Sequence, residues 1–148
     1  NGVRHEFLSD AVNSIWIDNG TTSMAWKGMK PGRLIEFNTA DIQLIKNNVQ
    51  GIEFLTASWD RGMKTLRYNK TDGAFLVRAC LPDHRFLENL TVKQGRFINE
   101  QDQQESRKTC AIGLNVKDAL FKNDDPVGKI IQVEGTNFLV VGVFVQAV

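Results

Sequence analysis

The chain has 148 residues, 42% of them hydrophobic and 24% charged, with 18 Lys and Arg against 17 Asp and Glu. That is the composition of a folded globular chain, long enough for a substantial core in one domain or two small lobes, and it excludes an extended disordered polymer. The charges are balanced in each half and form no basic cluster, so nucleic acid and anionic membrane are both disfavoured as partners.

In chain order, Val3, Phe7, Leu8, Val12 and Ile15 fall at roughly helical spacing and predict an amphipathic opening helix over residues 3–17 that runs into a strand. Residues 19–23 predict a turn, and Gly28, Pro31 and Gly32 mark residues 27–33 as a loop. Asn38 is a good N-cap, and Asp41 three residues later completes a capping box. Ile42, Ile45 and Val49 form the stripe of that helix, and Gly51 is placed to end it as the C′ residue. A strand is predicted over 52–59. Two more, 64–68 and 74–81, are predicted to join through a five-residue hairpin loop, 69–73. Pro82 and Asp83 open a short helix with Phe86, Leu87 and Leu90 on one side.

The region from 95 to 144 carries the most pattern. A Gly95-Arg96-Phe97 step leads into an acidic segment, 99–105, read as a solvated turn or helix N-terminus, and then a strand-like run, 110–114. Asn115 is a candidate N-cap for a helix to Phe121, with Val116, Ala119 and Leu120 on one face. A turn over 125–128 and two β-rich runs, 129–133 and 138–144, follow.

Gly95, Arg96 and Phe97; Asn115, Leu120 and Phe121; Pro126, Val127, Gly128, Lys129 and Ile131; and Phe138, Val140, Val141, Gly142 and Val143 occur in an order that resembles the extracytoplasmic core domain of MacB-type ABC transporter permeases, the group that includes FtsX-like permeases. Phe97 follows Arg96 directly, where the family has one residue between them. The resemblance covers most of residues 35–144. It implies an α+β fold of two lobes: a βα-type, porter-like lobe with the opening helix over 1–62, and a β-rich, sabre-like lobe with short helices over 63–148.

The resemblance further implies a dimeric bacterial inner-membrane permease with this segment facing the periplasm. Its expected partners are a cytoplasmic ABC ATPase, a second permease subunit reached through membrane helices, and a periplasmic adaptor protein. Cytoplasmic ATP hydrolysis would drive a movement of this domain that does periplasmic work. The longest uncharged run, residues 135–148, has 14 residues, short of the about 20 that a spanning helix needs. With no signal peptide and Asn1 in place of Met, the chain reads as a segment excised from between membrane helices.

Chemistry is sparse. No glycine-rich run with a lysine and a hydroxyl is present to cradle phosphates, so no nucleotide cofactor is expected. His5 and His84 are the only histidines; neither lies in a triad or metal motif, and both are read as solvated. The acids Asp124, Asp125, Glu100, Asp102 and Glu105 stand among polar turn residues and lack the alternation of a calcium loop. Cys80 and Cys110 sit in apolar runs and are read as buried free thiols, with a disulfide between them as the alternative in an oxidising compartment. No catalytic residue, metal ligand or cofactor site is assigned.

Aromatic side chains in strand-like or helix-face positions, Trp16, Trp59, Phe75, Phe97, Phe121, Phe138 and Phe144, are read as core. Trp26 differs, because it lies in the glycine- and proline-punctuated loop with Met24, Lys27, Met29 and Arg33. Folding back to cap a small core is its default reading. The alternative is an adaptable apolar and basic surface for partner contact formed by those five residues. The same loop suits the rival function, a stand-alone secreted ligand-binding module. A hydrolase assembled from the scattered acids is a weaker rival.

Overall fold

The computed structural model describes residues 14–147, which fall into two compact units, 14–55 and 56–147. The opening helix expected over 3–17 lies largely outside the described residues, and residues 14–20 have no regular structure.

In the 14–55 unit, the backbone folds back on itself between Gly20 and Ile35. Thr22 N–H donates to Arg33 O at 2.9 Å and Ile35 N–H to Gly20 O at 2.7 Å. Helix α1, Thr39–Asn48, begins where the capping box predicts: the Asn38 side chain accepts from Ala40 N–H at 2.8 Å, and Asp41 accepts from Asn38 N–H at 2.8 Å. Its end corrects the sequence reading. The C-cap is Val49 in an extended conformation, and Gly51, with φ +80°, lies two residues further on. The strand expected over 52–59 is a second correction. Residues 52–57 are not in a strand, and the regular strand starts at Ser58. None of residues 14–55 is buried.

The 56–147 unit is a six-stranded sheet built on one long hub strand. Strands β1, Ser58–Tyr68, and β2, Thr71–Cys80, form a hairpin through a two-residue turn at Asn69-Lys70, where Asn69 takes φ +53°. The five-residue loop expected there is replaced by strand pairing that brings Thr71, Asp72 and Gly73 opposite Tyr68, Arg67 and Leu66. Asparagine tolerates the left-handed turn position, which lets the hairpin close early. After β2 comes one helical turn, α2, His84–Leu87; Leu90, expected on that helix, is instead the first residue of β3, Leu90–Gly95.

Helix α3, Glu100–Gln104, β4, Thr109–Gly113, and α4, Leu114–Val116, follow. α4 passes into a π-helical turn, Lys117–Phe121, closed by Lys122 N–H on Lys117 O. The helix starts one residue ahead of Asn115, with extended Gly113 as its N-cap. The wider turn also changes its inward face, burying Val116, Leu120 and Phe121 and leaving Ala119 exposed. Strands β5, Ile130–Val133, and β6, Thr136–Gln146, complete the chain as a hairpin.

The path across the sheet is β2-β1-β5-β6-β3, with β4 parallel to β6 on its other edge. Opposite β4, β6 carries an extra residue between Val140 and Gly142, a bulge that re-phases the strand. Val140 and Val143 thereby both join the core with Leu66, Ile112, Val116, Leu120, Phe121 and Ile131. Tyr68 stacks on Phe121 with ring centroids 4.0 Å apart. Gly142 is required by close approach, because a Cβ there would collide with the Arg96 backbone, and Gly95 meets Val141 O in the same way.

Candidate functional site

The five loop residues of interest lie on the Gly20–Ile35 fold-back. Trp26 and Met29 close its tip reciprocally: Trp26 N–H donates to Met29 O at 3.1 Å and Met29 N–H to Trp26 O at 2.9 Å. Lys27 and Gly28 between them have φ +46° and +79°, the positive pair of a tight hairpin turn that glycine makes accessible. The turn turns the tip side chains outward. Met24 is 77% exposed, Trp26 65% and Met29 42%, so Trp26 does not fold back onto a core. Lys27 Nζ stands 5.7 Å from the Trp26 ring centroid, a cation over the aromatic face. Arg33 is exposed on the returning leg, its backbone N–H donating to Thr22 Oγ1 at 3.1 Å. The result is a polarizable apolar tip flanked by two cations.

A second cluster surrounds the Gly-Arg-Phe step. Asp102, expected to be solvated, is buried beneath Arg96, which donates to both carboxylate oxygens, to Oδ1 at 3.0 Å. The physical reason is a second capping box: Asn99 accepts from Asp102 N–H at 3.0 Å and Asp102 accepts from Asn99 N–H at 3.0 Å. The Asn-x-x-Asp spacing that announces α1 recurs here, so the capping box was legible, whereas the burial of Asp102 depends on Arg96 closing over it. Hydrogen bonding from Arg96 holds the Asp102 carboxyl below its usual value against the opposing effect of burial, helped by the Asn99 backbone and by the nearby charge of Arg107. Arg96 also donates to Phe97 O at 3.0 Å, and Phe97 meets Phe144 edge-on at 5.9 Å. Arg96 therefore fastens α3 to the sheet, and its role is structural.

Among the remaining acids, Asp125 accepts from Gln94 Nε2 at 2.6 Å and from Val127 N–H at 3.0 Å, which fixes the turn ahead of β5. Glu105 pairs with Gln101 and Arg107, which lower its pKa at the surface. No group of three or more His, Cys, Asp or Glu residues is placed to hold a metal ion among the described residues. Cys80 and Cys110 are free thiols, and burial pushes them up to about 11 and about 12, where they stay protonated. His84 is a correction. Expected in solvent between Asp83 and Arg85, it is 5% exposed, because the one-turn helix α2 folds its ring inward.

The structure thus has a β-rich sheet unit with short helices and an exposed apolar tip on a separate unit. A family model described as the MacB-like periplasmic core domain matches residues 1–147, and the chain belongs to that family. It is 29% identical over 141 residues to the macrolide export ATP-binding/permease protein MacB of Bdellovibrio bacteriovorus, covering 95% of this chain and 22% of that protein. A shorter match, 28% over 85 residues, is to the pyoverdine export ATP-binding/permease protein PvdT of Pseudomonas aeruginosa, covering 57% of this chain and 13% of that protein. Among solved structures, the extracellular domain of the noncanonic ABC-type transporter YknZ from Gram-positive bacteria superposes with a TM-score of 0.67 at 25% identity, covering 74% of this chain and 58% of that one. The periplasmic region of MacB from Actinobacillus actinomycetemcomitans gives 0.68 at 22%, covering 74% and 50%.

The chain spans about a fifth or less of the curated relatives it matches, and 58% and 50% of the two solved domains. It is a MacB-like periplasmic core domain of an ABC transporter permease. No helix among the described residues is long and apolar enough to cross a membrane.

Proposed function

We propose that this domain is a non-catalytic relay that converts ATP-driven movement of an inner-membrane permease into periplasmic work, the export of a substrate. The observation that carries the reading is mechanical. The backbone enters the 56–147 unit where Leu81 N–H bonds Ala57 O, Ala147 N–H near the end of β6 bonds Asn89 O, and Glu88 between them reaches both Arg78 of β2 and Gln146 of β6. A unit held at one end is moved as a lever by whatever the chain is attached to. The partners that fit are a cytoplasmic ABC ATPase, a second permease subunit, and a periplasmic adaptor that meets the tip formed by Met24, Trp26, Lys27, Met29 and Arg33.

Two lobes belong to the proposal, a porter-like lobe begun by residues 1–62 and a sabre-like lobe from 63. The absence of any buried residue in 14–55 favours a first lobe completed by further chain of the kind the longer relatives possess. The test uses the full-length permease in nanodiscs with a spin label at Lys70, on the exposed β1–β2 turn. The distance between the two labels of a dimer is expected to change between the nucleotide-free and ATP-trapped states; one distribution in both states rejects the relay. Trp26→Ala in the same protein is expected to weaken capture of the adaptor while ATP hydrolysis continues. Unchanged capture removes the tip from the proposal.

A further inference from the structure

The same end of the sheet holds a titratable group with no role in the relay as described. His84 is enclosed, with 6% of its side chain exposed, and its Nε2 stands 3.8 Å from Glu88 Oε1. Arg78 on β2 approaches that same oxygen at 3.7 Å, and Gln146 at the end of β6 donates to Glu88 Oε2 at 3.2 Å. Glu88 therefore ties β2, α2 and β6 together where the chain enters and leaves the unit. His84 Nδ1 is buried with no hydrogen-bond partner.

The orphaned nitrogen decides which protonation state fits. In the neutral imidazole with Nε2–H toward Glu88, Nδ1 carries a lone pair, and an unpaired acceptor is the milder defect. Protonation puts an N–H on Nδ1 with no acceptor, and places a cation where water is excluded. The imidazolium would also share Glu88 Oε1 with the Arg78 guanidinium, which already stands beside it. Cys80, which also feels Glu88 and Arg78, stays a neutral thiol and offers no counter-charge.

We propose that this His84–Glu88–Arg78–Gln146 cluster is an acid-sensitive latch, in which protonation of His84 loosens the α2 turn and the Leu90–Gln146 pairing that close the base of the sheet unit. The sign follows from the site. Burial lowers the imidazole pKa in the fold from 6.5, Glu88 offsets part of that, and Arg78 adds to the lowering. The closed form is then fully favoured above pH 6.5 and loses ground as the pH falls from there toward the folded-state value. In a domain that faces the periplasm, the latch would respond to acidity transmitted from the medium.

The test is amide hydrogen exchange of the 148-residue chain at pH 7.5, 6.5 and 5.5, corrected for the intrinsic pH dependence of exchange. Amides of residues 90–95 and 146 are expected to open more readily below pH 6.5, by at most about tenfold per pH unit for one proton taken up. His84→Gln is expected to flatten that response, and His5→Gln to leave it as in the wild type. A flat wild-type profile, or a response that survives His84→Gln, overturns the latch. Should His84→Gln fail to fold, the wild-type imidazole followed by nitrogen chemical shift is expected to titrate below pH 6.5, with the Gln146 side-chain amide moving along the same curve. A midpoint at or above 6.5, or a Gln146 signal that ignores it, overturns it equally.

Discussion

The two units of this chain use similar residues to different ends. In 56–147, β-branched and aromatic side chains converge on the hub strand β6, and Ile131, Val140 and Val143 are each 2% exposed or less. In 14–55, Ile15, Ile17, Met24, Trp26 and Leu34 are equally apolar yet range from 65% to 86% exposed. The difference is how far pairing extends: β6 is flanked by β3, β4 and β5, whereas Leu34 and Trp26 pair only in isolated bridges to Thr21 and Met29. Where the chain supplies neighbours for a strand, its alternate side chains acquire a layer to bury against; where it does not, the same hydrophobicity remains on the surface. An apolar stretch therefore specifies a need for burial, and the topology determines whether that need is met within the unit.

That contrast can be broken at its strongest point. Phe121→Ala removes a ring that is 2% exposed and stacked on Tyr68, and it is expected to cost about 3–5 kcal/mol in denaturant unfolding. A loss below 1 kcal/mol would mean that the sheet unit is no better packed than its neighbour. Asp102→Asn, which leaves Arg96 without its carboxylate and opens the second capping box, is expected to cost about 1–3 kcal/mol.

The same carboxylate sets a pH dependence. Because the fold lowers the Asp102 pKa from 3.8, its contribution is complete above that value and is lost as the pH falls through the lower folded-state value. Thermal melts from pH 5 to pH 2 should show this loss in the wild type and a shallower one in Asp102→Asn. Equal slopes would place the acid sensitivity elsewhere.

Smaller effects sharpen the other side. Asn38→Ala removes the α1 cap and is expected to cost about 1 kcal/mol of local helix stability, read as faster amide exchange in α1, with unfolding of the sheet unit unchanged. Concerted loss in both units would show that they fold as one. Trp26→Ala, at an exposed tip, is expected to change stability by no more than about 0.5 kcal/mol. A larger loss would mean that the ring is packed after all.

Much of the fold was legible because its signals are local. The Asn38–Asp41 box, the β1–β2 hairpin and the turn that delivers β5 each depend on residues within a few positions of one another. The errors fall where a distant partner decides. Residues 52–57 have strand composition but form no strand; Leu90 reads as helical until β6 recruits it; Gly73 reads as loop until Leu66 pairs with it. His84 and Asp102 were misplaced for the same reason, since a polar neighbourhood in sequence becomes a buried one only when α2 or Arg96 closes over it.

By itself, the sequence determined the α+β class, the N-terminal capping of α1 and the ordered motifs that mark the family. These are properties of single residues and short spacings, governed by backbone sterics and local hydrogen bonds. Only the tertiary structure decided the hub role of β6, the parallel placement of β4, the outward tip of Trp26 and the enclosure of His84 against Glu88. Each depends on which segments meet across long separations, and that is settled by burying the most apolar area while leaving the fewest polar groups unpaired.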